Sequence, residues 1–171
     1  MENTDSTWIE HVLNPKTITS IYPAQAPSLA QVRLGELSIL CGGSLQCRLH
    51  FDLKGFPADA PTKWVQQKCN TVSLSLCLTE VTLEQCVIPS GSGIGDLSIV
   101  HDGNGFQVAF STRPQGVVFR ARATWIHVDR ISLPQRKHWE RGLIQGLLIL
   151  NRARSRQHRL CVRSSQRGNP S

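Results

Sequence analysis

Through the middle of the chain, apolar and polar residues alternate one for one. Across residues 44–53, Leu45, Cys47, Leu49, Phe51 and Leu53 alternate with Gln46, Arg48, His50 and Asp52. Across residues 71–84, Val72, Leu74, Leu76 and Leu78 alternate with Ser73, Ser75 and Cys77. A period of two places successive side chains on opposite faces of a strand, so both stretches are half-buried strands. Ahead of them, residues 30–41 carry Val32 and Leu34 on one parity and Leu37 and Ile39 on the other. Gly35 sits at the switch, which predicts a strand with a bulge or bend. Gly42-Gly43 supplies a hairpin turn, so this strand runs antiparallel to 44–53. The stretch 71–84 also changes parity, from Leu78 to Val81 and Leu83, which puts a bulge or corner at Thr79-Glu80. Further strands are predicted at 96–102, from Phe106 through Val108 to Phe110, and at 117–128. Asp102-Gly103-Asn104-Gly105 and Arg113-Pro114-Gln115-Gly116 are the turns between them. In the last strand Val117, Phe119, Ala121, Ala123 and Trp125 are predicted inward, and Arg120, Arg122 and Thr124 outward.

The flanks read differently. Asp5 or Ser6 can cap a short helix over 7–13, with Trp8, Ile9 and Val12 sharing a face and Asn14-Pro15 ending it. The connection 54–71, with Pro57, Pro61 and Trp64, is too long for a tight hairpin. It is long enough to cross between sheets or to cap one end of a sandwich. Residues 88–95, IPSGSGIG, form a loop. Past Pro134 strand alternation stops. Leu143, Leu147 and Leu150, with Trp139 one turn earlier, fit a helix from about 135 to about 157. Gly142 and Gly146 each weaken it by roughly 1 kcal/mol, and residues 162–171 are predicted to be disordered. The fold expected is mainly β, an antiparallel β-sandwich or open barrel of about six to eight strands with a short N-terminal helix. It occupies residues 1–134, and 135–171 form a basic extension, partly helical or disordered.

Charge sharpens that boundary. The 171 residues carry a formal net charge of +7. Residues 1–135 hold 10 Lys and Arg against 11 acids, whereas 136–171 hold 9 against the single acid Glu140. A nearly neutral body therefore bears a basic tail. The first residues, MENTDSTWIEHVLNP, lack the basic start and apolar stretch of a signal peptide. No uncharged apolar run reaches the length of a membrane span. A cytoplasmic protein is expected, and in that compartment its six cysteines are reduced.

No catalytic constellation stands out. His50, His101 and His127 fall in or beside strands on polar positions or near turns, and Ser73 and Ser75 are ordinary strand residues. Asp52 and Asp59 could meet in space, but nothing in their spacing requires it. Gly91, Gly93 and Gly95 lie in a loop, with no GxGxxG opening a helix, no phosphate-binding GxxxxGK[ST] and no HExxH. Cys41, Cys47, His50 and Cys69 can be drawn as a metal set, but Cys47 and His50 have opposite parity on one strand and point apart. No enzyme, metal or cofactor is expected. The tail arginines, Arg152, Arg154, Arg156, Arg159, Arg163 and Arg167, would attract phosphate, which leaves a nucleic-acid-associated β domain as the alternative function. Aromatics that could stack on bases are absent after Trp139. Beside the arginines, the LIQGLLIL segment could dock on a membrane surface or a partner, so residues 136–167 carry either contact. Trp64 either folds the long connection onto an open end of the sheets or anchors a binding surface.

A strand ending in Phe51-Asp52-Leu53 is followed by Phe56-Pro57, by Pro61-x-Lys63-Trp64, and by Asn70 leading into Val72-x-Leu74-x-Leu76. With Trp8 and the Pro27-Ser28-Leu29 entry, this pattern resembles immunity protein family 50 of bacterial polymorphic toxin systems, over about residues 7–132. The resemblance implies a small cytosolic antidote that binds a cognate toxin domain and blocks it. It marks Phe56, Pro57, Trp64 and Asn70 as motif positions with structural roles, and it identifies no toxin-contact residues. The family pattern has a Gly-Trp pair after the second motif strand, where this chain has Gln85-Cys86-Val87. The basic stretch after Leu133 has no counterpart in it.

Overall fold

A computed structural model of the chain describes residues 7–67, 70–87, 93–113 and 115–133. Eight strands are present among them: β1 (Val32–Cys41), β2 (Leu45–Leu53), β3 (Val72–Thr79), β4 (Thr82–Cys86), β5 (Ile94–His101), β6 (Phe106–Thr112), β7 (Gly116–Ala123) and β8 (Trp125–Ser132). They form one open, antiparallel sheet in the order β4-β7-β6-β5-β1-β2-β3-β8. The helical pieces are a 3-10 turn at Thr7–His11, α1 (Lys16–Thr19) and α2 (Thr62–Gln66).

Two short connections make this sheet fold back on itself. β3 and β4 are joined by Glu80 and Val81 alone, and β7 and β8 by Thr124 alone, yet each pair is separated by several strands in the sheet order. The reason lies in the register. Thr79 pairs with Trp125 before the corner, and Thr82 pairs with Arg122 after it. Counting inward from both pairs leaves equal lengths of chain, so β3–β4 and β7–β8 are two long strands of a single ribbon that bends. Glu80 takes the left-handed conformation at φ 54°, and the Thr124 N–H donates to the Thr79 carbonyl at 3.2 Å. At the other corner, β1 and β5 share only Val32 with Gly95 and Arg33 with Ile94. The sheet thus has two four-stranded halves, β1-β2-β3-β8 and β5-β6-β7-β4, whose inner faces share one core.

That core contains Leu49, Phe51, Leu74, Leu76 and Phe119, all essentially inaccessible, as the alternation predicts. The bulge expected at Gly35 is present as a register shift between Leu34 and Glu36. The corner expected at Thr79-Glu80 is also present, with Val81 buried beyond it.

The predicted strand 117–128 needs correction. It breaks at Thr124, where the ribbon bends, and the inward parity moves from Ala121 and Ala123 to Ile126 and Val128. Trp125 is consequently outward and 47% exposed. Val118 is buried next to Phe119 and Val117 only half-buried, because a register shift at Phe110/Ser111 adds a residue to β7. The N-terminal segment differs as well. Its helix is a single 3-10 turn, followed by α1, which the sequence reading did not anticipate. Trp8 is buried and donates its indole N–H to the Pro27 carbonyl at 2.9 Å. The C-terminal extension 135–171 lies outside the described residues.

Candidate partner-binding faces

The two outward faces of the bent sheet carry most of the polar side chains, and they are built differently. On the half β1-β2-β3-β8, register places Arg33, Asp52, Ser73 and Ser132 in one row. Glu36, His50, Ser75 and Arg130 form the next, and Ser38, Arg48, Cys77 and His127 a third. The short side chains stand on the central strand β3 and the long ones beside it, so Ser73, Ser75 and Cys77 are buried beneath their neighbours.

Most groups of this face satisfy one another. The Ser73 hydroxyl donates to Asp52, and Ser75 shares a 2.8 Å hydrogen bond with His50 Nδ1. Arg48 Nε lies 3.1 Å from Asp129, and the Ser38 hydroxyl donates to Glu36. Burial pushes the Asp52 carboxyl above its ordinary range, against the pull of Ser73, His50 and Arg33. Burial also raises the Cys77 thiol. Three arginines, Arg33, Arg48 and Arg130, balance three acids, Glu36, Asp52 and Asp129. At one end stand two exposed apolar side chains, Leu40 on β1 and Trp125 on β8. Beside Leu40, the β1–β2 turn frames a hollow of about 460 Å³, lined by Cys41, Gly42, Gly43, Ser44 and Gln46 as well.

The other exterior belongs to the half β5-β6-β7-β4. Its middle row is Ser98, Ala109, Arg120 and Gln85, and the next is Val100, Gln107, Arg122 and Thr82. Arg122 is neutralised twice, by Asp102 at 2.8 Å and by Glu84 at 3.4 Å. Asp96 accepts the N–H of Gln31, a residue with φ 54°. Gln85 donates its side-chain amide to the Val117 carbonyl at 2.6 Å. Arg120 is the exception. Its Nε is closed off from solvent and finds no acceptor among the described residues.

The free edge of β8 is partly covered. The Asn14 carboxamide behaves as a strand residue: its oxygen accepts the Val128 N–H and its nitrogen donates to the Val128 carbonyl, both at 2.8 Å. The Leu13 N–H donates to the Ile126 carbonyl alongside. A covered edge does not offer its backbone to another chain, which makes faces better candidates than this edge.

The motif residues lie in the connection between β2 and β3. Phe56 and Trp64 pack against the rim of the core, Pro57 is buried, and Asn70 is exposed at the entry to β3. Tyr22 ties the N-terminal segment to the same connection, donating to the Gly55 carbonyl at 2.9 Å. Burial raises its phenol to about 12. His101 sits at the end of β5, within 5.2 Å of the Phe106 ring and 6.3 Å of the His11 ring, a packing cluster well away from His50. Cys41, Cys47, Cys77 and Cys86 are free thiols, and burial raises that of Cys47 to about 12. Cys69 lies outside the described residues. Among the described residues no cluster of His, Cys, Asp or Glu could hold a metal, and no helix is long and apolar enough to cross a membrane. Arg120 escaped the sequence reading because its parity shows only that it points outward. Its lack of an acceptor depends on cross-strand neighbours.

A family model described as Immunity protein 50 matches residues 14–133, which takes in all eight strands. No curated protein and no solved structure matches the chain.

Proposed function

The chain belongs to the Immunity protein 50 family, and from that premise we propose that it neutralises a cognate bacterial toxin domain by binding it stoichiometrically in the cytoplasm. Family membership over the whole sheet is the observation that carries this reading. The architecture supports it. A bent sheet with one continuous core presents two firm outward faces, and pre-ordered side chains lose little entropy when a protein partner docks. The described acids and bases of the body nearly balance, which suits a protein surface better than a polyanion. Inhibition of this kind needs no chemistry from the antidote, and the proposed role is therefore not enzymatic.

The division at residue 134 belongs to the same proposal: residues 1–134 carry the inhibition, and 135–171 are an appendage. The experiment is rescue of growth. A candidate cognate toxin domain is expressed with the full chain or with a chain ending at residue 134, and the purified pair is weighed for stoichiometry. Full protection by both forms and a complex of fixed ratio are expected. Toxicity undiminished by the full chain would end the reading. Protection by the full chain alone would move the inhibitory surface into residues 135–171.

A further inference from the structure

We propose that the outer face of β4, β7, β6 and β5 is the surface that meets the toxin, and that Arg120 there receives a carboxylate of the toxin. The inference rests on the toxin-binding reading. A guanidinium cannot escape burial by losing its proton, so a buried N–H on arginine needs an acceptor. A buried donor left unmatched is a cost that native proteins rarely carry without a reason. The Arg120 Nε carries that cost among the described residues. None of the acids of this half bonds to it: Glu84 and Asp102 pair with Arg122, and Asp96 accepts the Gln31 N–H. The matching acceptor is therefore supplied from outside the described chain.

The surroundings fit an incoming acidic side chain. Next to Arg120 across the sheet stand the short side chains Ala109 and then Ser98, and Arg120 as a whole is part-exposed although its Nε is closed off. Val100 and Ile94 are exposed on β5 and give a partner apolar surface to cover. Charge complementarity sets the chemistry. An unmatched arginine beside short side chains takes a carboxylate, and two N–H groups of one guanidinium can grip both of its oxygens. The occupant is a folded toxin domain presenting Asp or Glu from an otherwise apolar patch. On the opposite face Arg48 is paired with Asp129, and Arg33 and Arg130 stand exposed to water, which satisfies their donors without a partner.

Binding and stability move in opposite directions under this proposal. The test uses the full chain and the toxin domain against which it protects growth, with affinity measured by calorimetry and stability by thermal melting. Arg120→Met weakens binding by about tenfold or more and Arg120→Glu by about a hundredfold or more, as for other charged interface anchors. Arg120→Lys, which keeps the charge but not the fork, falls between them. Arg48→Met, on the other face, stays within about threefold of the parent. Free Arg120→Met melts about 2 °C higher than the parent, because an unmatched buried donor has been removed. Parent binding with Arg120→Glu unchanged overturns the face while the toxin-binding reading stands. Failure of the parent chain itself to bind overturns that reading and this inference together. A lower melting temperature for Arg120→Met means that Arg120 already has an acceptor in the free chain, and overturns the inference as well.

Discussion

The two outward faces stand on the same core and belong to the same sheet, yet they use charge in different ways. On β1-β2-β3-β8 the acids and bases alternate from strand to strand, and the pairs they form are internal: Arg48 with Asp129, His50 with Ser75, Ser73 with Asp52. On β5-β6-β7-β4 two acids pair with Arg122, and the Arg120 Nε has no acceptor among the described residues. The first arrangement stabilises its own sheet through cross-strand pairs, each contributing roughly 0.2–1 kcal/mol. The second leaves an interaction unmade. A surface evolved only for stability would resemble the first face throughout. The contrast separates charges that hold the fold from a charge held in reserve.

The largest effect should come from what both faces share. Leu76 is fully buried in mid-β3 and packs into the common core. Leu76→Ala should cost about 2–5 kcal/mol, read as a fall in the urea midpoint with little change in slope. Both faces should lose their order together, so protection against the toxin should fail with melting. If only one half loosened, the halves would be separate cooperative units and the shared core would be the wrong description. Gly95 tests the joint between them. A Cβ there would run into the Ser111 carbonyl oxygen and lie 2.9 Å from the Phe110 ring. Gly95→Ala should cost about 1–3 kcal/mol by overpacking. Hydrogen exchange should quicken first at Val32 and Arg33, where β1 meets β5.

The sequence and the fold agree wherever one strand could be judged alone. Leu49, Phe51, Leu74 and Leu76 declare their inward face through simple alternation, and Gly35 and Glu80 mark places where parity changes. Trp125 shows where that reading stops. The alternation from Val117 onward continues evenly through Ala123 to Trp125, and nothing local announces a bend. The bend at Thr124 is imposed by β3–β4, which turns at Glu80 and carries its ribbon partner with it. A parity switch required by a neighbour leaves no mark on the strand that obeys it. The candidate site was hidden for a related reason. Arg48, Arg120 and Arg122 look alike as outward arginines in strands. Only the folded side chains reveal that Asp129 meets the first, Glu84 and Asp102 the third, and no acceptor among the described residues the second. Of the motif positions, Phe56 and Trp64 are half-buried against the core and Pro57 is buried, whereas Asn70 is exposed.

A smaller effect probes how tightly the first face holds its own charges. Burial raises the Asp52 carboxyl above its ordinary value of 3.8. The folded state thus binds that proton more tightly than the unfolded state does. The associated stability is fully present below pH 3.8 and is lost as pH rises through the raised folded value. Asp52→Asn removes the charge while retaining an oxygen for the Ser73 hydroxyl. At pH 7 it should melt about 1–3 °C above the parent, and the gain should disappear below pH 3.8. A variant less stable than the parent at pH 7 would show that Arg33 and His50 outweigh desolvation at this position.

The smallest effect discriminates most sharply between the faces. Arg48 and Asp129 pair at 3.1 Å, with side chains 44% and 37% exposed, so water screens much of their attraction. A double-mutant cycle on the two should return about 0.2–1 kcal/mol. Exchanging the charges, with Arg48→Asp and Asp129→Arg in one chain, should restore most of that energy, since the pair survives in reversed order. It also inverts the electrostatic pattern at the centre of this face. A toxin docked on β1-β2-β3-β8 would meet the wrong sign at both positions, and like-charge contacts across an interface cost several kcal/mol. A toxin docked around Arg120 would not register the exchange. The swapped chain should therefore fold, melt within about 2 °C of the parent and protect growth as fully as the parent does. Loss of protection with melting unchanged would transfer the working surface to the self-paired face, with Trp125 as its exposed aromatic anchor.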